Sequence, residues 1–144
     1  MSIAVTVVAP APLDATWARW SDFGRWADWN PTCASAELKG GLEPGTVVEM
    51  RLRHPRSGRE FLTRPRLTVV EPPESLAWEA RGPGFRAGVA SRLTEEHDGT
   101  RVTLHAATTG RMAFTYLMTL TEPAQAAMHQ QALTALSASL KGAA

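Results

Sequence analysis

The chain has 144 residues, 44% of them hydrophobic and 20% charged, with a formal net charge of +1. That length and balance fit one globular domain with its own core, spanning 1–144, and the near-neutral charge excludes the strong basic field of a general nucleic-acid binder. The opening MSIAVTVVAP has no basic region ahead of a long apolar run, so neither a signal peptide nor a membrane span is expected; the single cysteine, Cys33, excludes an internal disulfide and points to a cytoplasmic home.

Residues 2–9 (SIAVTVVA) predict a strand. Residues 12–21 predict a short helix, with Asp14 placed favourably in its first turn and Trp17 and Trp20 on one face. A second short helix holds Trp26 and ends at Asn30, because the residue before Pro31 is biased toward extended backbone. Trp17, Trp20, Trp26 and Trp29 crowd this stretch. Their simplest role is bulky filler where short helices cannot otherwise bury enough area. The alternative is that one ring, Trp29 foremost, lines a cavity.

From about residue 33 to 110 the chain is rich in β signals. Turn chemistry at Lys39-Gly40-Gly41, Pro44-Gly45, Arg56-Ser57-Gly58, Glu71-Pro72-Pro73, Gly82-Pro83-Gly84 and Asp98-Gly99 divides it into about six further strands. A two-residue Asp98-Gly99 loop of type I′ would set Leu93 opposite Leu104, Ser91 opposite Ala106 and Val89 opposite Thr108, with Glu96 facing Arg101 on the other side. The remaining strands alternate too. Val48, Met50 and Leu52 oppose Glu49, Arg51 and Arg53. Phe61, Thr63, Leu67 and Val69 oppose Arg64, Arg66 and Thr68, and Leu76 and Trp78 oppose Glu79 and Arg81. Such a sheet is apolar on one face and wet on the other.

The segment Arg111–Leu120 is too apolar for an open loop and is expected to cover a pocket mouth or to begin the last helix. Residues 121–141 predict that helix, with Thr121 or Glu122 as cap and Pro123 in the first turn. Its inward stripe is His129, Leu133, Leu136 and Leu140. Alanines keep the helix slim. One slim helix need not fill a strongly curved sheet, which leaves room for a cavity.

Strand, two small helices, six strands and a long final helix is the order of the helix-grip fold. The chain resembles the START-like (SRPBCC) superfamily in its polyketide cyclase/dehydrase-like branch. The carrying residues are Ala9-Pro10, Trp17, Asp22-Phe23, Trp26 and Trp29-Asn30-Pro31. Gly41-Leu42, Pro44-Gly45-Thr46, Val69-Val70-Glu71-Pro72 and Leu76-Ala77-Trp78 follow. Gly99-Thr100-Arg101-Val102, Leu136 and Leu140-Lys141 complete the set. The resemblance implies an α+β fold: a seven-stranded curved antiparallel sheet wrapped around the C-terminal helix, with two short helices between strands 1 and 2. It does not choose between the cyclases, carriers, oxygenase domains and chaperone regulators built on that fold.

No Gly-rich phosphate loop and no metal-ligand spacing is present, so no cofactor and no metal are expected. His97 and His105 are read as surface, and His54 lies at a strand end. The expected cavity walls are Met50, Leu67, Trp78, Val89, Leu104 and Leu133. Ser91, Thr108 and His129 would orient a guest, with Tyr116 near the mouth. This suits a hydrophobic or aromatic small molecule. Catalysis of a cyclase/dehydratase type, by proton transfer through His129, lacks a visible inward carboxylate apart from Glu95 near the hairpin end, so the chain reads as a binder before an enzyme. The competing reading is a protein-interaction module that uses segment 111–120 (with Met112, Phe114, Tyr116 and Met118) or the basic stretch Arg51, Arg53, Arg56, Arg59, Arg64 and Arg66. As partners the sequence implies a small molecule, no nucleic acid and no membrane span, in a monomer or homodimer.

Overall fold

The computed structural model describes residues 2–113, 117 and 120–141. Strand β1 (Ser2–Ala9) leads into helix α1 (Leu13–Trp20), a single 3-10 turn at Phe23–Arg25 and helix α2 (Trp26–Trp29). Pro31 sets the end of α2: Asn30 takes an extended φ/ψ of −99°/110° and leaves the helix there. Seven strands follow: β2 (Cys33–Leu38), β3 (Val48–Arg53), β4 (Glu60–Thr63), β5 (Arg66–Glu71), β6 (Ser75–Gly82), β7 (Phe85–Glu96) and β8 (Gly99–Thr109). Helix α3 (Glu122–Ser139) closes the described chain. Thr121 caps it by accepting the Ala124 N–H at 3.3 Å, and Pro123 sits in the first turn, where its missing N–H costs nothing.

The described strands form two antiparallel sheets, β1-β8-β7-β6-β5 and β2-β3-β4, where one seven-stranded sheet was expected. The difference lies at Arg64-Pro65. One strand was read across residues 61–69, but proline has no N–H to give a ladder. The chain breaks there into β4, which pairs with β3, and β5, which pairs with β6. The sheets still touch through a bridge between Val47 and Arg66 and through the bonds Val48 N–H to Pro65 O (2.8 Å) and Leu67 N–H to Thr46 O (2.9 Å). A register shift between Leu67 and Val69 also turns the face over, so that Val70, not Val69, joins the core opposite Leu76.

The β7–β8 hairpin keeps its predicted faces but is two residues out of the predicted register. Leu93 pairs with Val102, Ser91 with Leu104 and Val89 with Ala106, and the loop is His97-Asp98. Neither loop residue has a positive φ, so the type I′ turn is not formed. Gly99 instead starts β8 with φ +148°, because the Ala9 carbonyl passes where a Cβ would stand. A shift of two leaves every side chain on its own face, which is why the pattern alone did not reveal it.

The apolar faces meet α3 and the short helices in one core. Val48, Leu67, Leu76, Leu93, Val102, Leu133, Leu136 and Leu140 are sealed inside it. Helix α3 packs along β1, α1 packs on β7 and β8, and α2 lies against β2 and α3. Arg19 of α1 donates to the Ser139 carbonyl at 2.8 Å, placing a cation at the C-terminal end of α3 where the helix dipole favours it. Among the described residues no helix is long and apolar enough to cross a membrane.

Candidate functional site

Three of the crowded tryptophans, Trp20, Trp26 and Trp29, form one aromatic cluster with Phe23 and with Trp78 of β6. Trp20 and Trp26 stack at 4.9 Å between ring centroids, Phe23 lies 4.8 Å from Trp26, and Phe23 and Trp26 each meet Trp78 edge-on at 5.7 Å. Such pairs add to the area they bury. Polar atoms fix the rings: Trp26 Nε1 donates to Trp20 O and Trp20 Nε1 donates to Ser91 Oγ, both at 2.8 Å.

Beside this cluster the packing stops. On one flank the sheet presents Ala80 opposite Ala87, and α3 presents Ala132, so small side chains stand where large ones would be needed to close the core. The space left is a cavity of about 120 Å³ for the centres of water-sized molecules. The hollow needed for a single water is roughly 10–15 Å³ on that measure. Trp20, Trp26 and Trp78 wall one side, Met50, Leu52 and Phe61 another, and Met128 and Leu120 a third. Leu120, Ala124 and Met128 pack with Leu52 and Phe61 into a small cluster of their own at that third side.

Five polar side chains border this space: Asn30, Thr32, Thr63, Gln125 and His129. Asn30, Thr32 and Gln125 are buried. Asn30 Oδ1 accepts from the Thr32 N–H at 3.0 Å and from the Thr32 hydroxyl at 2.8 Å, an Asx turn. Gln125 Nε2 donates to Leu120 O at 3.1 Å. His129 retains some exposed surface, yet burial pushes its pKa down to about 4, so the ring is neutral at neutral pH. No Asp, Glu, Lys or Arg lies among the described lining residues.

The cavity gathers five of the sequence-predicted site residues: Met50, Trp78, Val89, Leu104 and His129. Leu67 and Leu133 lie in the sealed core away from it. Ser91 is buried with its hydroxyl engaged, accepting from Trp20 and donating to Leu76 O at 2.6 Å. Thr108 is buried with no hydrogen-bond partner for Oγ1 among the described residues, and it does not border the cavity. Tyr116 lies outside the described residues, as do Phe114 and Met118. Trp29, the ring singled out by sequence, is not in the wall; Trp20 and Trp26 are. Sequence reasoning also passed over Asn30, Thr32 and Gln125. The Asn-Pro-Thr spelling of an Asx turn held the signal for the first two. His54, the histidine at a strand end, accepts from the Arg56 and Ser57 amides and serves its own turn.

Outside the cavity, much of the predicted basic patch is matched by acids. Arg64 meets Glu49 at 3.0 Å, and Arg51 and Arg53 flank Glu60 at 4.0 and 3.8 Å. The Arg64 hydrogen bond holds the Glu49 carboxyl below its usual range. Arg53 also donates to the carbonyls of Pro31 and Cys33, and Arg66 to that of Gly45, so these side chains tie loops to strands.

Comparison with known proteins places this geometry. A family model described as polyketide cyclase / dehydrase and lipid transport matches residues 1–141. Among solved structures, the Zhui aromatase/cyclase from Streptomyces sp. R1128 superposes with a TM-score of 0.77 at 17% identity, over 98% of this chain and 93% of that one. TTHA0849 from Thermus thermophilus gives 0.78 at 16% identity over 100% and 99%. A START superfamily protein from Mycobacterium smegmatis gives 0.70 at 13% over 99% and 95%. The chain spans half the length, 50%, of the di-domain ARO/CYC BexL from the BE-7585A biosynthetic pathway, with a TM-score of 0.67 at 18% identity over 94% of this chain. No curated protein matches by sequence. At these identities the likeness of structure speaks for the fold, an α+β helix-grip with antiparallel sheets and a C-terminal helix. With the family model covering nearly the whole chain, the protein belongs to the polyketide cyclase/dehydrase and lipid transport family.

Proposed function

We propose that the chain binds a hydrophobic or aromatic small molecule in the cavity between the curved sheets and α3. One observation carries this reading: three tryptophan rings and aliphatic side chains leave a hollow unfilled, and three of the five polar side chains on its wall, Asn30, Thr32 and Gln125, are buried. That is the make-up of a small-molecule pocket, apolar with sparse anchors. The family, which covers both cyclase/dehydrase and lipid transport members, supports binding as the shared property. Chemistry has thinner support. His129 has the residue type for proton transfer, but no carboxylate borders the described cavity to orient or recharge it. We therefore read the chain as a binder or carrier in the first place, acting as one START-like domain.

The test is a thermal-shift and fluorescence titration with polyketide-like, flavonoid-like and fatty ligands, in wild type and in Ala132→Phe. A ligand that binds the native state raises the melting temperature with its concentration. Ala132→Phe fills the hollow from the helix side and is expected to abolish the shift in a chain that still folds. A ligand shift that survives this substitution would place binding elsewhere.

A further inference from the structure

The polar wall of the cavity has a direction that the binding reading alone does not use. The Thr32 amide N–H can only donate, so the Asn30 atom it meets must be the oxygen, and the amide nitrogen is the end turned away. The backbone is held as firmly: Asn30 N–H donates to Trp26 O at 2.8 Å, and Asn30 O accepts from Cys33 N–H at 3.1 Å. Pro31 fixes the extended conformation between them. Asn30 is 2% exposed, and its amide nitrogen has no hydrogen-bond partner among the described residues. Among the described residues, the polar side-chain atoms that are both unpartnered and sealed are Trp29 Nε1 and Thr108 Oγ1. Asn30 Nδ2 is not among these sealed atoms, and Asn30 lines the hollow. A buried, immobilised, unused donor at a cavity wall calls for an acceptor.

The charge of that acceptor follows from the rest of the wall. No described lining residue is a cation, and residues 114–116 and 118–119 read Phe, Thr, Tyr, Met and Thr, so that segment adds none. His129 is neutral at neutral pH. A carboxylate moved from water into such a site loses its hydration and gains no opposite charge. Resting on the binding reading above, we propose that Asn30 is the specificity-determining residue of the cavity: its amide nitrogen donates to an uncharged ketone, ester or phenol oxygen on an otherwise apolar aromatic guest, and a guest whose oxygen belongs to a carboxylate is rejected.

The test is a titration of the full chain with three naphthalenes that differ in one substituent at the same ring position: acetyl, ethyl and carboxylate. Quenching of tryptophan emission reports binding, since Trp20, Trp26 and Trp78 wall the cavity. Acetylnaphthalene is expected to bind about tenfold tighter than its near-isostere ethylnaphthalene, the scale of one hydrogen bond made in a dry site. Naphthoate is expected to bind at least about tenfold weaker than acetylnaphthalene. In Asn30→Ser, whose hydroxyl can still serve the turn, the acetyl preference should vanish while ethylnaphthalene affinity is kept. Thr32→Val, which frees the amide from one of its two holds, should cut the preference several-fold and stands in if Asn30→Ser does not fold. Equal wild-type affinity for the acetyl and ethyl compounds, or tight naphthoate binding, overturns the assignment of Asn30 and leaves the cavity reading standing. Failure of all three to bind overturns both.

Discussion

Trp20 Nε1 and Ser91 Oγ lie 2.8 Å apart in the buried layer between α1 and β7, and the Ser91 hydroxyl in turn donates to Leu76 O at 2.6 Å. The serine that sequence parity offered as a ligand anchor thus holds a wall of the cavity in place. Ser91→Ala leaves a buried indole N–H without an acceptor, which costs about 1–3 kcal/mol. A melting temperature lower by several degrees, with ligand affinity little changed, is the expected pattern in paired thermal and binding measurements. The reverse pattern, affinity lost and stability kept, would make Ser91 a ligand contact.

His129 gives the stability a pH dependence of known sign. Its folded pKa is pushed down to about 4 from an ordinary 6.5. Above pH 6.5 the ring is neutral in both states and full stability is present. As pH falls from 6.5 toward 4 the unfolded chain takes up a proton that the folded chain refuses, so stability is lost across that window and the loss levels off below it. The limiting slope is about 1.4 kcal/mol per pH unit for one proton. Urea midpoints measured from pH 4 to 8 should fall on the acid side in wild type (by more than in His129→Gln), and superimposable profiles would refute the assignment.

Two glycines with positive φ separate backbone strain from collision. At Gly45, φ is +96° and an added Cβ meets nothing within 4 Å, so Gly45→Ala carries only the conformational penalty, about 1–2 kcal/mol. At Gly99, φ is +148° and the added Cβ overlaps the Ala9 carbonyl oxygen. Gly99→Ala should therefore be worse by a further 1–3 kcal/mol or so, the usual range for overpacking. Chemical denaturation of the two variants side by side checks the order.

Replacing Arg51, Arg53, Arg64 and Arg66 together should leave a chain that still unfolds cooperatively, because exposed ion pairs contribute little. The four are not equivalent, however. Arg53 reaches the Pro31 and Cys33 carbonyls, so Arg53→Ala alone should cost about 1 kcal/mol and account for most of the combined loss. A quadruple variant that fails to fold, judged by the loss of a single sharp thermal transition, would mean that this strand face carries more than solvent contacts.

What the sequence disclosed follows the reach of each signal. Alternation reports which side of a strand a residue faces, and it placed Val48, Met50, Leu76, Trp78 and Leu93 inward, where they are. It does not report depth along the strand, so Leu67 and Ser91 were inward yet not at the hollow. Helical spacing found His129, Leu133, Leu136 and Leu140; of these His129 borders the cavity, beside Gln125, Met128 and Ala132, which the stripe did not include. Pro65 was legible as a ladder breaker and was read through. Trp20 and Trp26, rather than Trp29, reach the wall because of how three short elements cross, a long-range property that no local pattern encodes.

The pairing of Ser2 with Ala107, and of each residue of β1 with one in β8 about a hundred residues later, also bears on how the protein is made. β1 is an apolar, β-prone segment that leaves the ribosome well before β8. At about 5–20 residues per second, its partner strand follows only after something on the order of ten seconds. For that interval Ile3, Val5 and Val7 have no ladder to join, and a segment of this composition with free edges invites pairing with the wrong chain. Closure of this sheet, and with it the wall on which α3 lies, therefore waits for β8. Until β8 emerges, the nascent chain is a natural client for whatever shields extended apolar segments at the exit tunnel.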